Sequence, residues 1–233
     1  MLAAASHTLA GHLYSKLAYD PVKDFTGVAF IGNSCYAIAA PGNLGVNNLA
    51  DYVKLLKSQP GKMNYASAGV GSTTHLAMEM LKNASQTYAL HIPYNGNGPA
   101  GTALIAGQVE ILFGSLPALL PHVKSARVRP LAVGTPKRSP SLPEVPTVAE
   151  SGYAGFDASL WLAFFAPAGT PQPIVDRLHK EIVATVQSAD TREALDKAGA
   201  EPITSTPAEL AAMIKDGVGK YAKVIKAAGV KPE

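Results

Sequence analysis

The chain has 233 residues, enough for one large domain or two smaller ones. Hydrophobic residues make up 47% and charged residues only 16%, which suits a compact α/β fold. A net charge of +3, scattered without like-charge runs or aromatic-interleaved basic patches, argues against a nucleic-acid partner.

The single cysteine, Cys35, excludes an internal disulfide and a Cys-based zinc site, and beside Gly32 and Tyr36 it fits a small core residue. No apolar run reaches the roughly 18–20 residues that span a bilayer. The start, Met1–Ala5, lacks the basic region and apolar core of a signal peptide.

In chain order, Met1–Ala5 has the composition of the end of a strand, and Ser6-His7-Thr8 is placed to cap a short helix through Leu13 and Tyr14. Tyr19–Phe25 is a turn-rich link. Gly27–Ile31 and Tyr36–Ala40 are apolar strands, the second stopped by Pro41-Gly42. Val46–Gln59 is an amphipathic helix with Leu49, Tyr52, Val53 and Leu56 on one face, ended by Pro60-Gly61. A strand ends at Lys62–Ala66, and a helix begins at Thr74 with Leu76, Met80 and Leu81 on one face.

A regular alternation follows: strand Ala89–Ile92, helix Pro99–Ala106, strand Gln108–Phe113, helix Pro117–Ser125, strand Val128–Val133. Such alternation predicts βαβ units and a mainly parallel sheet. Pro136–Pro146 is an extended connector, Thr147–Ser151 a helical turn, and Ala158–Phe165 a strand that contains the lone Trp161. The last third is helical. Thr170-Pro171 is placed to start one helix running to about Ser188, Asp190–Glu193 to start a second ending at Gly199, and Thr206–Glu209 a third running to Ala228 before Gly229.

Ligands of parallel sheets sit outside the carboxyl ends of strands. Three such ends stand out: Ser67–Thr73, Pro93–Gly98 and Gly114–Leu116. In the first, Asn64–His75 joins strand to helix through Gly69 and Gly71, so backbone N–H groups and a helix N-terminus gather there. Ser67, Ser72 and Thr73 add hydroxyls. The second end, with Tyr94, Gly96 and Pro99, has the same character. Together these turns are candidates to hold a small carboxylate.

A second reading is a capped turn with no ligand, which many α/β proteins contain. The stretch is neither a P-loop, since Ser72 follows Gly71 where a lysine belongs, nor a dinucleotide fingerprint, since Thr74 stands where a third glycine belongs.

No catalytic set, metal cluster or cofactor motif is visible. The six histidines fall in unrelated elements, and His75 and His91 fit hydrogen-bonded structural roles. No Gly-x-Ser-x-Gly elbow exists. A nucleophilic Ser67 or Ser72 would have His75 as its nearest base and no acid that the sequence names.

The chain resembles the extracytoplasmic solute receptors of tripartite tricarboxylate transporters, the Bug family. The matching strings are Tyr19–Phe25, Asn64–Ser67, Gly71-Ser72 with His75-Leu76-Ala77, Pro93-Tyr94 with Gly96, and Pro121–Lys124. Further matches are Lys137–Pro140 through Glu144–Glu150, Ala166–Pro171, and Gly229–Glu233.

The resemblance implies a type II periplasmic-binding-protein-like α/β fold, two lobes joined by crossover strands, with residues 1–36 and 158–233 in the first lobe and 37–157 in the second. It implies no catalysis, no cofactor, a small organic acid as ligand, a periplasmic location, and the membrane components of a tripartite tricarboxylate transporter as partners. By matched position the ligand-binding residues are Ser67, Gly69, Gly71, Ser72 and Thr73 on one wall and Tyr94 and Gly96 on another. Ser6 and His7 match a loop from the other lobe, and Ser115 stands in the third strand end.

Two departures from the family pattern carry expectations. Relatives hold further N-terminal strands and a Pro/Gly-rich loop, so the first lobe is expected to be incomplete, with exposed sheet edges that a homodimer or swapped oligomer would cover. Many relatives place an aspartate after the strand Val109–Phe113; Gly114-Ser115 here argues for a plain carboxylate rather than an amino acid. Two other readings compete with the receptor: a remnant that has lost its affinity, and a serine-dependent hydrolase.

Overall fold

The computed structural model describes residues 1–13, 16–197 and 199–228, with backbone alone at 5, 220, 223, 227 and 228. Tyr14 of the first expected helix, and Gly229 with the closing stretch, lie outside the described residues. Two compact units emerge: residues 1–33 with 160–233, and residues 34–159.

The first unit is built on a four-stranded sheet in the order β1-β8-β2-β9, where β1 is Leu2–Ala4, β2 Phe25–Ser34, β8 Leu160–Pro167 and β9 Ala200–Glu201. β1 pairs antiparallel with β8, Leu2 opposite Phe164. Period-two alternation along β8 covers both faces. Trp161, Ala163 and Phe165 join Phe30, Leu210 and Ile214 in one core, while Phe164 and Ala166 join Val28, Ala29 and Val175 in another. The helices α6 (Gln172–Gln187) and α8 (Pro207–Ala228) supply Val175 and Leu210 to these two layers. Between α6 and α8 runs α7, Ala189–Lys197.

At the start of the chain the expected single helix is instead a 3-10 turn, Ala5–Thr8, followed by the short α1, Ala10–Leu13. Three helix starts differ from one another in how they match expectation. Thr206 and Glu209 form the reciprocal capping box, with Glu209 N donating to Thr206 Oγ1 (3.2 Å) and Thr206 N to Glu209 Oε2 (2.8 Å). Thr170 does not cap α6: its hydroxyl donates to Pro167 O (2.7 Å), and Pro171 holds the cap position. For α7 the cap moves to Ser188, whose Oγ accepts from Thr191 N (3.4 Å), so Asp190 lies inside the first turn.

The second unit is a five-stranded sheet in the order β5-β4-β6-β3-β7. Its strands are β3 (Tyr36–Pro41), β4 (Asn64–Ser67), β5 (Leu90–Pro93), β6 (Ile111–Ser115) and β7 (Val128–Val133). The connecting helices are α2 (Leu49–Ser58), α3 (Thr73–Ser85), α4 (Asn97–Ile105) and α5 (Leu116–Lys124). β4 pairs in parallel with β5 and β6, but β3 pairs antiparallel with both β6 and β7. The sheet is therefore mixed rather than mainly parallel. The strands of the alternation do share one direction; β3, from earlier in the chain, inserts between the last two.

Adjacent residues of β4 point to opposite faces. Ala66 belongs to the core made with Ala100, Leu104, Leu116 and Leu119 of α4 and α5, and Tyr65 stacks on the side of α3. Small residues on β3, Ala37 and Ala39, let those helices seat closely. Gly114 serves the same end, because a Cβ there would lie 2.9 Å from Leu112 Cδ2 and 3.3 Å from Leu119 Cδ1.

Candidate functional site

Because β4, β5 and β6 run in parallel and adjoin, their carboxyl ends lie at one edge of the sheet. Each end passes directly into a helix: Ser67 into α3, Pro93 into α4, Ser115 into α5. Three helix N-termini therefore start from one edge. None of the three has an acidic residue in its first turn. Each terminus carries a partial positive charge of about half a unit, and here no carboxylate in the first turn offsets it.

The central turn is folded by its own side chains. Ala68 N donates to Thr74 Oγ1 (2.9 Å), Gly69 N to Ser67 Oγ (3.1 Å), Gly71 N to His75 Nδ1 (3.0 Å) and Ser72 N to Gly69 O (3.2 Å). Gly71 adopts φ +70, which a side chain would strain. Ser72 is the N-cap of α3: its Oγ accepts from His75 N (3.2 Å) and donates to Gly69 O (2.7 Å). The amides left without an acceptor among the described residues are those of Val70, Thr73 and Thr74. The donor set is thus narrower than the whole Gly/Ser stretch, and it centres on the first turn of α3.

The second turn is tied to the first. Tyr94 N donates to Ser67 O and Gly96 N to Ala68 O, both at 3.1 Å. Gly96, at φ +105, is the N-cap of α4. The third end joins through Ser115 N, which donates to Asn97 Oδ1 (3.3 Å). So Ser67, Gly69, Gly71, Ser72, Thr73, Tyr94, Gly96 and Ser115 share one edge. Ser6 and His7 belong to the other unit. Ser6 is exposed there, and His7 is buried with its ring 5.1 Å from that of Phe25 and 4.9 Å from that of Phe165. Burial pushes the His7 pKa down.

Two of the shared set work inward rather than outward. Ser67 is 0% exposed, and its Oγ lies 2.6 Å from His91 Nε2. Thr73 is 7% exposed, and its hydroxyl is bonded to the Tyr36 hydroxyl at the start of β3. Both hold the turn in place. A serine or threonine in such a turn shows its polarity in the sequence but not its direction, and the partners Tyr36 and His91 come from distant segments.

Behind the turn lies a polar stack. The His75 and His91 rings are 4.0 Å apart and nearly parallel, and Tyr65 stacks on His91 at 4.8 Å. Glu79 Oε1 accepts from Tyr65 Oη (2.5 Å) and Lys82 Nζ (2.6 Å) and lies 3.9 Å from His75 Nε2. Burial, with a smaller opposing pull from Glu79, holds the His75 pKa below its ordinary value; burial and the neighbouring His75 push His91 down to about 4. Both rings are neutral near pH 7, and both histidines are the hydrogen-bonded structural residues that the sequence suggests. Cys35 is buried, its thiol pushed up to about 11 by burial.

The profile of the tripartite tricarboxylate transporter family receptor matches residues 1–230. The "UPF0065 protein in tcbD-tcbE intergenic region" of Pseudomonas sp. (strain P51) is 34% identical over 213 residues, covering 91% of this chain and 63% of that protein. The chain thus spans less than two thirds of that relative's length. Among solved structures, R. palustris Rpa4515 with adipate superposes with a TM-score of 0.92 at 31% identity, covering 100% of this chain and 78% of the other. The periplasmic binding protein BugD gives 0.90 at 33% identity with the same coverage. MatC from Rhodopseudomonas palustris, with bound malate, gives 0.86 at 29% identity, covering 96% and 78%.

Proposed function

The chain belongs to the tripartite tricarboxylate transporter receptor family, a family of solute receptors and not of enzymes, and on that premise we propose that it binds a small organic carboxylate and hands it on unchanged. The ligand sits at the carboxyl edge of β5-β4-β6. The observation that carries this reading is the set of three helix N-termini at one sheet edge with no acidic residue in any first turn. A carboxylate there takes the free amides of Thr73 and Thr74, while Tyr94 and Ser115, both partly exposed, offer hydroxyls around it and Ser72, its own proton given to Gly69 O, caps the helix beneath.

Relatives support the ligand class: adipate and malate, named with two of them, are both dicarboxylates. The same relationship supports a periplasmic location and delivery to the membrane components of a tripartite tricarboxylate transporter. Charge recognition by backbone dipoles needs neither metal nor cofactor, and it leaves the ligand free to depart on transfer.

Isothermal titration calorimetry near pH 7 with adipate, malate, succinate and citrate, beside the neutral diamide of adipate, tests this. At least one acid is expected to bind and the diamide not to. A bound acid at about 100 times its Kd should also stabilise the fold by about 2.7 kcal/mol. Silence from every acid at millimolar concentration overturns the reading.

A further inference from the structure

We propose that His75 is a positioning residue of the ligand edge: its bare Nδ1 holds the Gly71 amide and so fixes the turn from which α3 presents its free amides. The inference rests on reading that edge as the ligand site.

Gly71 comes one residue before the cap and two before Thr73. Its N–H points inward, at 3.0 Å from His75 Nδ1, and Gly71 itself is buried. Without that acceptor a buried donor would be left unpaired, which proteins avoid by shifting the chain. The acceptor sits four residues on, in the first turn of the same helix, so the ring folds back over its own N-terminus. The ring cannot wander. One face lies on His91, and Nε2 approaches Glu79, itself fixed by Tyr65 and Lys82.

The arrangement accepts one tautomer only. With Nδ1 receiving the Gly71 proton, the ring proton must be on Nε2, the side of Glu79. The titratable groups that face the ring are Glu79 and Lys82 from α3, Tyr65 from β4 and His91 from β5; Lys82 also lies over the Tyr65 and Tyr88 rings at 5.3 and 5.2 Å. Protonating His75 would set an Nδ1–H against the Gly71 N–H, and a cation against the His91 ring. The turn then loses its inner anchor, and the amides of Thr73 and Thr74 lose their aim. Burial keeps the ring neutral near pH 7, so the edge is intact there.

Two variants separate positioning from mere packing. His75→Asn keeps an acceptor oxygen near the Nδ1 position and cannot titrate in this range. His75→Leu keeps apolar bulk and offers no acceptor. The first readout, exchange of the Gly71 amide measured by NMR without ligand, should be alike in wild type and the Asn variant and about tenfold faster in the Leu variant. The second is the Kd for adipate, expected to weaken about tenfold in the Leu variant and less than about threefold in the Asn variant near pH 7. The third is the ratio of wild-type to Asn-variant Kd from about pH 7.5 down to about 4.5, in which the ligand's own ionisation cancels; it should rise as His75 gains its proton.

Equal Gly71 exchange in all three proteins, or a flat ratio across the range in which the 15N shifts show the His75 ring gaining its proton, overturns the proposal. Should His75→Leu not fold, the 15N shifts of the wild-type ring decide, since a proton on Nδ1 at pH 7 overturns it. Should no acid bind to wild type, the receptor reading fails, while the exchange and 15N measurements still decide the role of His75.

Discussion

Ser67 and His91 meet at 2.6 Å across 24 positions of sequence, and no spacing rule connects them. At the residue scale this is the general lesson of the site. The sequence shows which positions are small, hydroxylated or free in φ: Gly69, Gly71, Ser72 and Gly96 all fall in the turns expected of them. It does not show which hydroxyls turn inward, because Tyr36 and His91 reach Thr73 and Ser67 only through the pairing of β3 and β5 into the sheet.

Two outcomes follow at this scale. Thr73→Val leaves the buried Tyr36 hydroxyl without its partner and should cost about 1–3 kcal/mol in chemical denaturation. Adding Tyr36→Phe should cost less than the sum of the two single changes.

The second outcome concerns acid. His91 is held near 4 in the fold, below its ordinary 6.5, so between those values the unfolded chain binds the extra proton. That term leaves stability unchanged above about pH 6.5 and removes it progressively as pH falls toward 4. His91→Gln should therefore flatten the melting temperature across that window relative to wild type; an equal slope in both would contradict it.

Elements were more legible than contacts. The alternation of strands and helices from Asn64 to Val133 appears with boundaries shifted by a few residues, as helix ends usually are. Caps were legible where the box is complete, at Thr206 and Glu209, and failed where another group competed. Thr170 gives its hydroxyl to Pro167 O, and Ser188 reaches the first turn of α7 before Asp190 can.

One helix end carries a cost that a substitution can relieve. After α5, Ala126 sits at φ +57, where Arg127 N returns to His122 O (3.0 Å). A left-handed alanine at a helix end is a place for glycine. Ala126→Gly is expected to raise stability by up to about 1 kcal/mol, read as a higher denaturation midpoint at unchanged slope. A lower midpoint would show that the strain is not there.

At the scale of the whole molecule, the least legible feature was strand order. Nothing local to Tyr36–Pro41 says that it will enter between β6 and β7 and run against both. Neither does local pattern say that α3, α4 and α5 begin at a common edge; that follows only once β5, β4 and β6 are known to be neighbours. The resemblance carried by strings such as Asn64–Ser67 and His75-Leu76-Ala77 reaches the fold class, but the order of these strands is visible only in the structure.

Under the proposed function the positive ends of these helices hold an anion, and Gly98 is the place to probe it. Gly98 lies in the first turn of α4, and a Cβ there would meet nothing within 4 Å. An aspartate at this point suits the helix dipole and removes a glycine, so Gly98→Asp should fold about 0.5–1 kcal/mol more stably. The same charge opposes an incoming carboxylate. Calorimetry of wild type, Gly98→Asp and the neutral control Gly98→Asn with the best-binding acid should show the Asn variant within about threefold of wild type and the Asp variant weaker by at least about tenfold. Equal affinity in the Asp and Asn variants would contradict the claim.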